Sequence, residues 1–279
     1  MAKGISLNIG LNSVDPNHYG GWDGKLIACE YDAISMEKIA KSSGCEVIKL
    51  LTKAATADNV KKHLNSAAQK LEAGDLFILT YSGHGGQLPD NNDDEGDGYD
   101  ETWCLYDREF VDDELNLCLR DFKEGVKILA FSDSCHSGTV VKARRLKRAL
   151  DIDTMHSNVD KSGTRYRFAP DEVLSHTYYQ NKELYDSILS DLSNKEKQVR
   201  ASVVLISGCE DHELSADGPF NGAFTGNLLQ VWDNGKFTGT HKKFHKQILN
   251  RMMDSDQHPK YFKDGKSNRA FEMSKPFTL

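Results

Sequence analysis

An α/β fold built on an open, mostly parallel sheet is predicted by three features of this sequence. Short apolar runs bounded by Gly, Asp or Ser recur along the chain. The stretches between them are long enough for crossover connections. Two of those stretches carry apolar residues at three- and four-residue spacing, the pattern of an amphipathic helix.

Taken in order, residues 5–11, 47–51, 76–81, 126–131 and 203–207 read as short buried strands, parallel because each pair is separated by room for a crossover. Residues 31–40 and 56–71 read as helices, the second with Asp58 near its start and Gly74 just past its end. The acidic stretch 90–101, with seven carboxylates and two glycines, reads as a loop. Residues 142–202 read as a long, partly helical connection, polar and basic at first. Beyond it, 222–232 and 241–253 read as helices and 269–273 as a last strand.

The chain has 279 residues, 38% of them hydrophobic and 28% charged, which excludes a disordered, collagenous or small disulfide-stapled protein. Its net charge of −7 argues against sequence-independent nucleic-acid binding, which depends on clustered cations. No window approaches the roughly 18 apolar residues of a membrane span. The first residues lack a signal-peptide profile, so a cytoplasmic protein without membrane partners is expected. The six cysteines form no C-x-x-C pair, so neither a zinc ribbon nor a disulfide framework is indicated.

In an open parallel sheet, ligands bind at the carboxyl ends of strands. Two runs deliver reactive side chains there among small residues: 76–81 leads into Ser82-Gly83-His84-Gly85-Gly86, and 126–131 into Ser132-Asp133-Ser134-Cys135-His136-Ser137-Gly138. A thiolate nucleophile needs an imidazole to carry protons and backbone N–H groups to hold the oxyanion. Cys135, His84 and the amides of Gly85 and Cys135 are the candidates. A free cysteine is more often a small buried hydrophobe, and the glycine-flanked setting of both partners is what raises this pair above that reading. His136 is a rival base, but adjacent residues in extended chain point to opposite sides.

These two motifs, 51 residues apart from His84 to Cys135, resemble the catalytic pair of the caspase-like cysteine peptidases of the metacaspase and orthocaspase branch. Residues 203–209 and Gly222-Ala223-Phe224-Thr225 are similar to the small-subunit core of that family. The resemblance implies a three-layer α/β/α sandwich around a central, mostly parallel six-stranded sheet. It also implies one peptidase domain over 1–279, with a large-subunit-like part (1–141), a connection (142–202) and a small-subunit-like part (203–279). By the same resemblance the chain is a monomer that needs no cofactor for its chemistry.

Animal caspases carry Gln two residues before the catalytic Cys, where this chain has Asp133. Asp32, in Cys29-Glu30-Tyr31-Asp32, matches the metacaspase Cys-x-x-Asp pattern. Two carboxylates in one pocket would repel an acidic side chain at P1, the residue whose carbonyl is cut. They would accept Arg or Lys, each charge-assisted bond contributing about 1.5–3 kcal/mol. Asp32 is alternatively a helix-start carboxylate favoured by the dipole. Ser82 and Cys29 match positions lining the same pocket, or are small packing residues. The basic residues Lys142, Arg144, Arg145, Lys147 and Arg148 make the 142–170 segment a candidate for self-processing, or a solvated basic face.

The acidic loop is not an EF-hand, because Glu95 stands where the sharp turn needs Gly. The family resemblance instead points to Asp100, Asp112 and Asp113 as calcium ligands, with calcium an activator. Where the family has a further acid this chain has Lys142, which replaces a ligand with a cation. Asp112 and Asp113 are alternatively a helix start. An esterase would need the G-x-S-x-G elbow, which is absent, and a tyrosine phosphatase would need Arg where Val141 stands. The remaining competitor is a catalytically silent scaffold or peptide-binding module.

Overall fold

A computed structural model describes residues 2–89, 99–134, 157–160, 163–193, 198–209, 213–255 and 257–279. Its centre is a six-stranded sheet in the order β2-β1-β3-β7-β8-β9. The strands are β1 (Gly4–Gly10), β2 (Glu46–Leu51), β3 (Leu76–Ser82), β7 (Lys127–Asp133), β8 (Ser202–Ser207) and β9 (Lys260–Gly265). All neighbours run parallel except the β8–β9 pair. A second sheet of three antiparallel strands, β4 (Gly85–Pro89), β5 (Tyr99–Cys104) and β6 (Glu109–Val111), follows directly on β3.

Side chains alternate across the central sheet, so each strand feeds two cores. On one face Ile5, Leu7, Ile9, Phe77, Leu79, Ile128, Ala130 and Val203 pack with Val60 and Leu64 of α2 (Ala57–Lys70) and Leu119 of α3 (Asp112–Arg120). On the other face Leu76, Ile78, Leu129, Phe131, Val204 and Ile206 meet three helices. Those helices are α1 (Cys29–Ser42), α6 (Ala223–Trp232) and α7 (His241–Met252). The result is a mixed α/β fold with helices on both sides of the sheet. Two further helices, α4 (Asp171–Gln180) and α5 (Lys182–Ser193), lie in the connection between β7 and β8.

Two sequence expectations are corrected. Arg269–Glu272 is a short helix, α8, rather than a strand: the Asn268 side chain accepts the Phe271 N–H at 3.1 Å and caps it, and Phe271 is buried. The last strand is instead β9, whose Lys260, Lys263 and Asp264 conceal it from a search for apolar runs. The second correction concerns the acidic stretch, whose end is not loop. Tyr99, Asp100 and Glu101 belong to β5 and pair with Pro89, Leu88 and Gln87. The remainder of that stretch, 90–98, lies outside the described residues.

Candidate active site

His84 sits where the chain passes from the central sheet to the small one. Its carbonyl accepts from the Tyr81 hydroxyl (2.7 Å) and the Cys104 N–H (2.9 Å), which fixes the backbone on both sides. Tyr81 is itself held flat against Trp103, ring centroids 4.3 Å apart. The imidazole Nε2 lies 2.8 Å from the Gly24 carbonyl oxygen. A carbonyl only accepts, so Nε2 carries the proton and Nδ1 is the basic nitrogen. Nδ1 is buried and has no hydrogen-bond partner among the described residues. Gly24 has φ +56°, a left-handed conformation that favours glycine, and it carries the loop past Trp22, whose ring lies 4.8 Å from the imidazole. Burial lowers the His84 pKa to about 4, with the Gly24 carbonyl and the Asp217 charge opposing the drop.

Beside it lies an acidic recess. The β3–β7 register sets Ser82 directly opposite Asp133, and β1 ends at Gly10 beside Ser82. The chain returns through the first turn of α1, where Asp32 faces inward and is only 1% exposed. The Ser82 hydroxyl donates to Asp32 Oδ2 at 2.8 Å. Asn221 Nδ2 and the Gly222 N–H donate to Asp32 Oδ1 at 2.8 and 3.1 Å. Asp133 accepts from the Ser215 hydroxyl (2.7 Å), the Thr225 hydroxyl (2.7 Å) and the Thr225 N–H (3.2 Å). Burial pushes Asp32 up to about 6, against the pull of the neighbouring Arg167, and Asp133 adds to the rise. Cys29, buried at the start of α1, has its thiol pushed up by burial.

The recess is filled by the chain's own Arg167, whose side chain is fully buried. Nη2 reaches Asp32 Oδ2 at 2.8 Å and Asp217 Oδ1 at 3.1 Å. Nη1 reaches Ser82 Oγ at 2.9 Å, Asp133 Oδ2 at 2.9 Å and the Asp133 carbonyl at 3.2 Å. The main chain of the same segment is held as an added strand. The Arg167 N–H donates to the Ser215 carbonyl (2.9 Å), and the Asp217 N–H donates to the Arg165 carbonyl (2.9 Å). On the other side the Gly85 N–H donates to the Arg167 carbonyl (3.0 Å), and the Ala169 N–H donates to the Gly85 carbonyl (3.0 Å). Residues 165–169 thus run between the start of β4 and residues 215–217, the mode of β-strand addition.

The structure brings His84, Gly85, Ser82, Cys29, Asp32 and Asp133 to the same end of the central sheet. Cys135, with its candidate oxyanion amide, lies outside the described residues, as do His136 and the basic residues 142–148. Ser134, which precedes Cys135, is buried just past the end of β7. Among the described residues no group of three or more His, Cys, Asp or Glu side chains is placed to hold a metal ion. Asp100 is buried on β5, while Asp112 is exposed and Asp113 half-buried in the first turn of α3. Asp100, Asp112 and Asp113 therefore do not gather into a calcium site among the described residues. Sequence reasoning missed Gly24, Arg167, Ser215, Asp217, Gly222 and Thr225. The only signal was that Arg167 falls in the segment read as a processing site and that Gly222 and Thr225 fall in a family-like motif.

Comparison with known proteins agrees with this architecture. A family model described as the caspase domain matches residues 14–269. The chain is 27% identical over 262 residues to a protein named metacaspase-1 from Schizosaccharomyces pombe, covering 82% of this chain and 58% of that protein. It is 30% identical over 288 residues to a metacaspase-1 from Cryptococcus neoformans, covering 90% of this chain and 59% of that protein. The chain therefore spans less than two thirds of the length of these two relatives. The crystal structure of protein GSU0716 from Geobacter sulfurreducens superposes with a TM-score of 0.88 at 50% identity, covering 99% of this chain and 98% of that one.

Proposed function

The chain belongs to the caspase-domain family, and from that premise we propose that it is a cysteine endopeptidase that cleaves peptide bonds after Arg or Lys. Cys135 is the nucleophile and His84 the base. Nδ1 of His84 takes the thiol proton, the Cys135 sulfur attacks the P1 carbonyl carbon, and the Gly85 N–H holds the oxygen as it gains charge. His84 returns the proton to the leaving amine, and water then hydrolyses the thioester by the same proton route. The Gly24 carbonyl keeps the imidazole in the required tautomer throughout.

One observation carries this reading: a basic side chain lies buried among carboxylates while its own carbonyl accepts the Gly85 N–H. That is the placement a P1 residue needs relative to an oxyanion donor. A P1 Asp or Glu would instead add a further negative charge to a buried acidic recess, which costs several kcal/mol. Self-processing within 142–170 belongs to the same proposal, because a resident Arg167 must leave before another P1 side chain can enter.

The test compares matched fluorogenic peptides bearing Arg, Lys or Asp at P1, with Cys135→Ala as control. Release from the Arg and Lys peptides, and none from the control, is expected. Faster cleavage of the Asp peptide would overturn the specificity. Cleavage undiminished in Cys135→Ala would overturn the nucleophile. A second reading, a silent scaffold, is favoured by the same filled recess if Arg167 is a permanent plug. In that case Arg167→Ala gains no peptidase activity.

A further inference from the structure

We propose that Asp217, a third acid in the recess beside Asp32 and Asp133, is the specificity-determining residue that makes the P1 recess select Arg over Lys, and that Gly222 leaves the slot in which the head group lies. The inference rests on Arg167 marking the P1 site, as in the preceding section.

The side chain in the recess is gripped at both ends of its planar head. Nη1 is bound by Ser82 and Asp133 on the β3–β7 side, and Nη2 by Asp32 and Asp217 on the α1 side. A guanidinium offers two terminal nitrogens held apart in a rigid fork, so it can satisfy both walls at once. A lysine ammonium is one donor atom on a stem that ends near the position of the arginine Cζ. It cannot lie within hydrogen-bond distance of both walls together.

Asp217 makes the α1 wall two carboxylates deep. Its Oδ2 accepts the Ile27 N–H at 2.7 Å and its Oδ1 the Ala28 N–H at 3.2 Å. These two amides immediately precede α1 and hold the carboxylate in place from behind. Its position is thus set by the backbone and not by the guest. Its main-chain N–H also carries the Arg165 carbonyl, so one residue reads both the strand and the head group.

Gly222 supplies the slot. A Cβ on it would lie 2.4 Å from Nη2, 2.6 Å from Cζ and 2.7 Å from Nη1 of Arg167, so the flat face of the guanidinium rests where a side chain would stand. Its N–H meanwhile donates to Asp32. Any larger residue fills the slot, and the guest's flat head must leave it.

Two readouts test this. In the first, kcat/KM is measured for matched Arg and Lys peptides. Asp217→Asn is expected to cut the Arg value about ten- to a hundredfold and the Lys value far less, closing the ratio. Gly222→Ala is expected to abolish Arg cleavage. In the second, the full chain carrying Cys135→Ala and Arg167→Ala is titrated with n-propylguanidinium and n-butylammonium, the bare side chains of Arg and Lys. This needs no catalysis and is preceded by a check of cooperative unfolding. The guanidinium should bind at least about tenfold more tightly, and adding Asp217→Asn should remove that gap. Guanidinium preference unchanged by Asp217→Asn, or Arg peptides cleaved normally by Gly222→Ala, overturns the proposal. So does failure of n-propylguanidinium to bind the folded variant. Guanidinium-selective binding without peptide cleavage by the wild type sinks the peptidase reading instead and leaves the selectivity standing.

Discussion

Removing the guanidinium from the acidic recess is the most informative single perturbation. In Arg167→Ala, made on a Cys135→Ala background, Asp32, Asp133 and Asp217 keep their places but lose their cation. Their side chains are 2%, 2% and 3% exposed, so water cannot replace it without opening the recess. Breaking a buried ion pair by deleting one partner costs about 3–5 kcal/mol.

The cost must also depend on pH. Asp32 already has its pKa pushed up to about 6 with Arg167 present, against an ordinary 3.8, and losing the cation raises it further. Between those limits the folded variant binds more protons than the unfolded chain, so its stability rises as pH falls. Urea unfolding is expected to show the full loss near about pH 8 and a smaller loss near about pH 5. A saturating n-propylguanidinium concentration, about a hundredfold above its Kd, should restore about 2.7 kcal/mol at the higher pH. A loss under about 1 kcal/mol, or the same loss at both pH values, would refute the account of a buried, cation-dependent carboxylate cluster.

Three further outcomes follow from the same geometry. Intact-mass analysis of the incubated wild type should show a fragment ending at Arg167 and one beginning at Phe168, absent from Cys135→Ala and Arg167→Gln; cuts confined to 142–148 would place the self-cleavage elsewhere. The His84 pKa, about 4 under the resident strand, should climb toward the ordinary 6.5 in Arg167→Ala if the segment leaves, a shift read from its ring protons by NMR titration. Glu109 is buried beneath β4, where burial pushes its pKa to about 8, and its Oε2 accepts from the Thr102 hydroxyl at 2.7 Å. The folded state holds that proton longer than the unfolded chain, so stability should fall as pH rises from about 4.5 to about 8, by up to about 5 kcal/mol. Glu109→Gln should flatten this slope in urea midpoints, and an unchanged slope would show that another group carries it.

How much of this was legible in the sequence depends on where each residue gets its meaning. Four interior strands, β1, β3, β7 and β8, announced themselves because they are buried on both faces and mostly apolar, and edge strand β2 did so through Val47, Ile48, Leu50 and Leu51. Edge strand β9 did not, since its Lys263, Asp264 and Gly265 face solvent. Nor did the small sheet, whose buried Leu88, Trp103, Phe110 and Val111 are interrupted by Gly85, Gly86, Asp100 and Glu101 and so form no apolar run. Asp32, Ser82 and Asp133 were visible because they stand beside strand ends within motifs. Arg167 was not, because a basic residue in a polar connection has the same local signature whether it meets water or a carboxylate. Its burial is set by three acids that come from α1, from the end of β7 and from the loop beyond β8, residues 135, 34 and 50 positions away along the chain. Each of those acids is expensive to bury alone, and the cation is expensive to bury without them. The cluster is therefore a property of the closed fold. A sequence scan can detect its parts, but their pairing is determined only when the strand register brings Ser82 and Asp133 level and leaves a slot in front of Gly222.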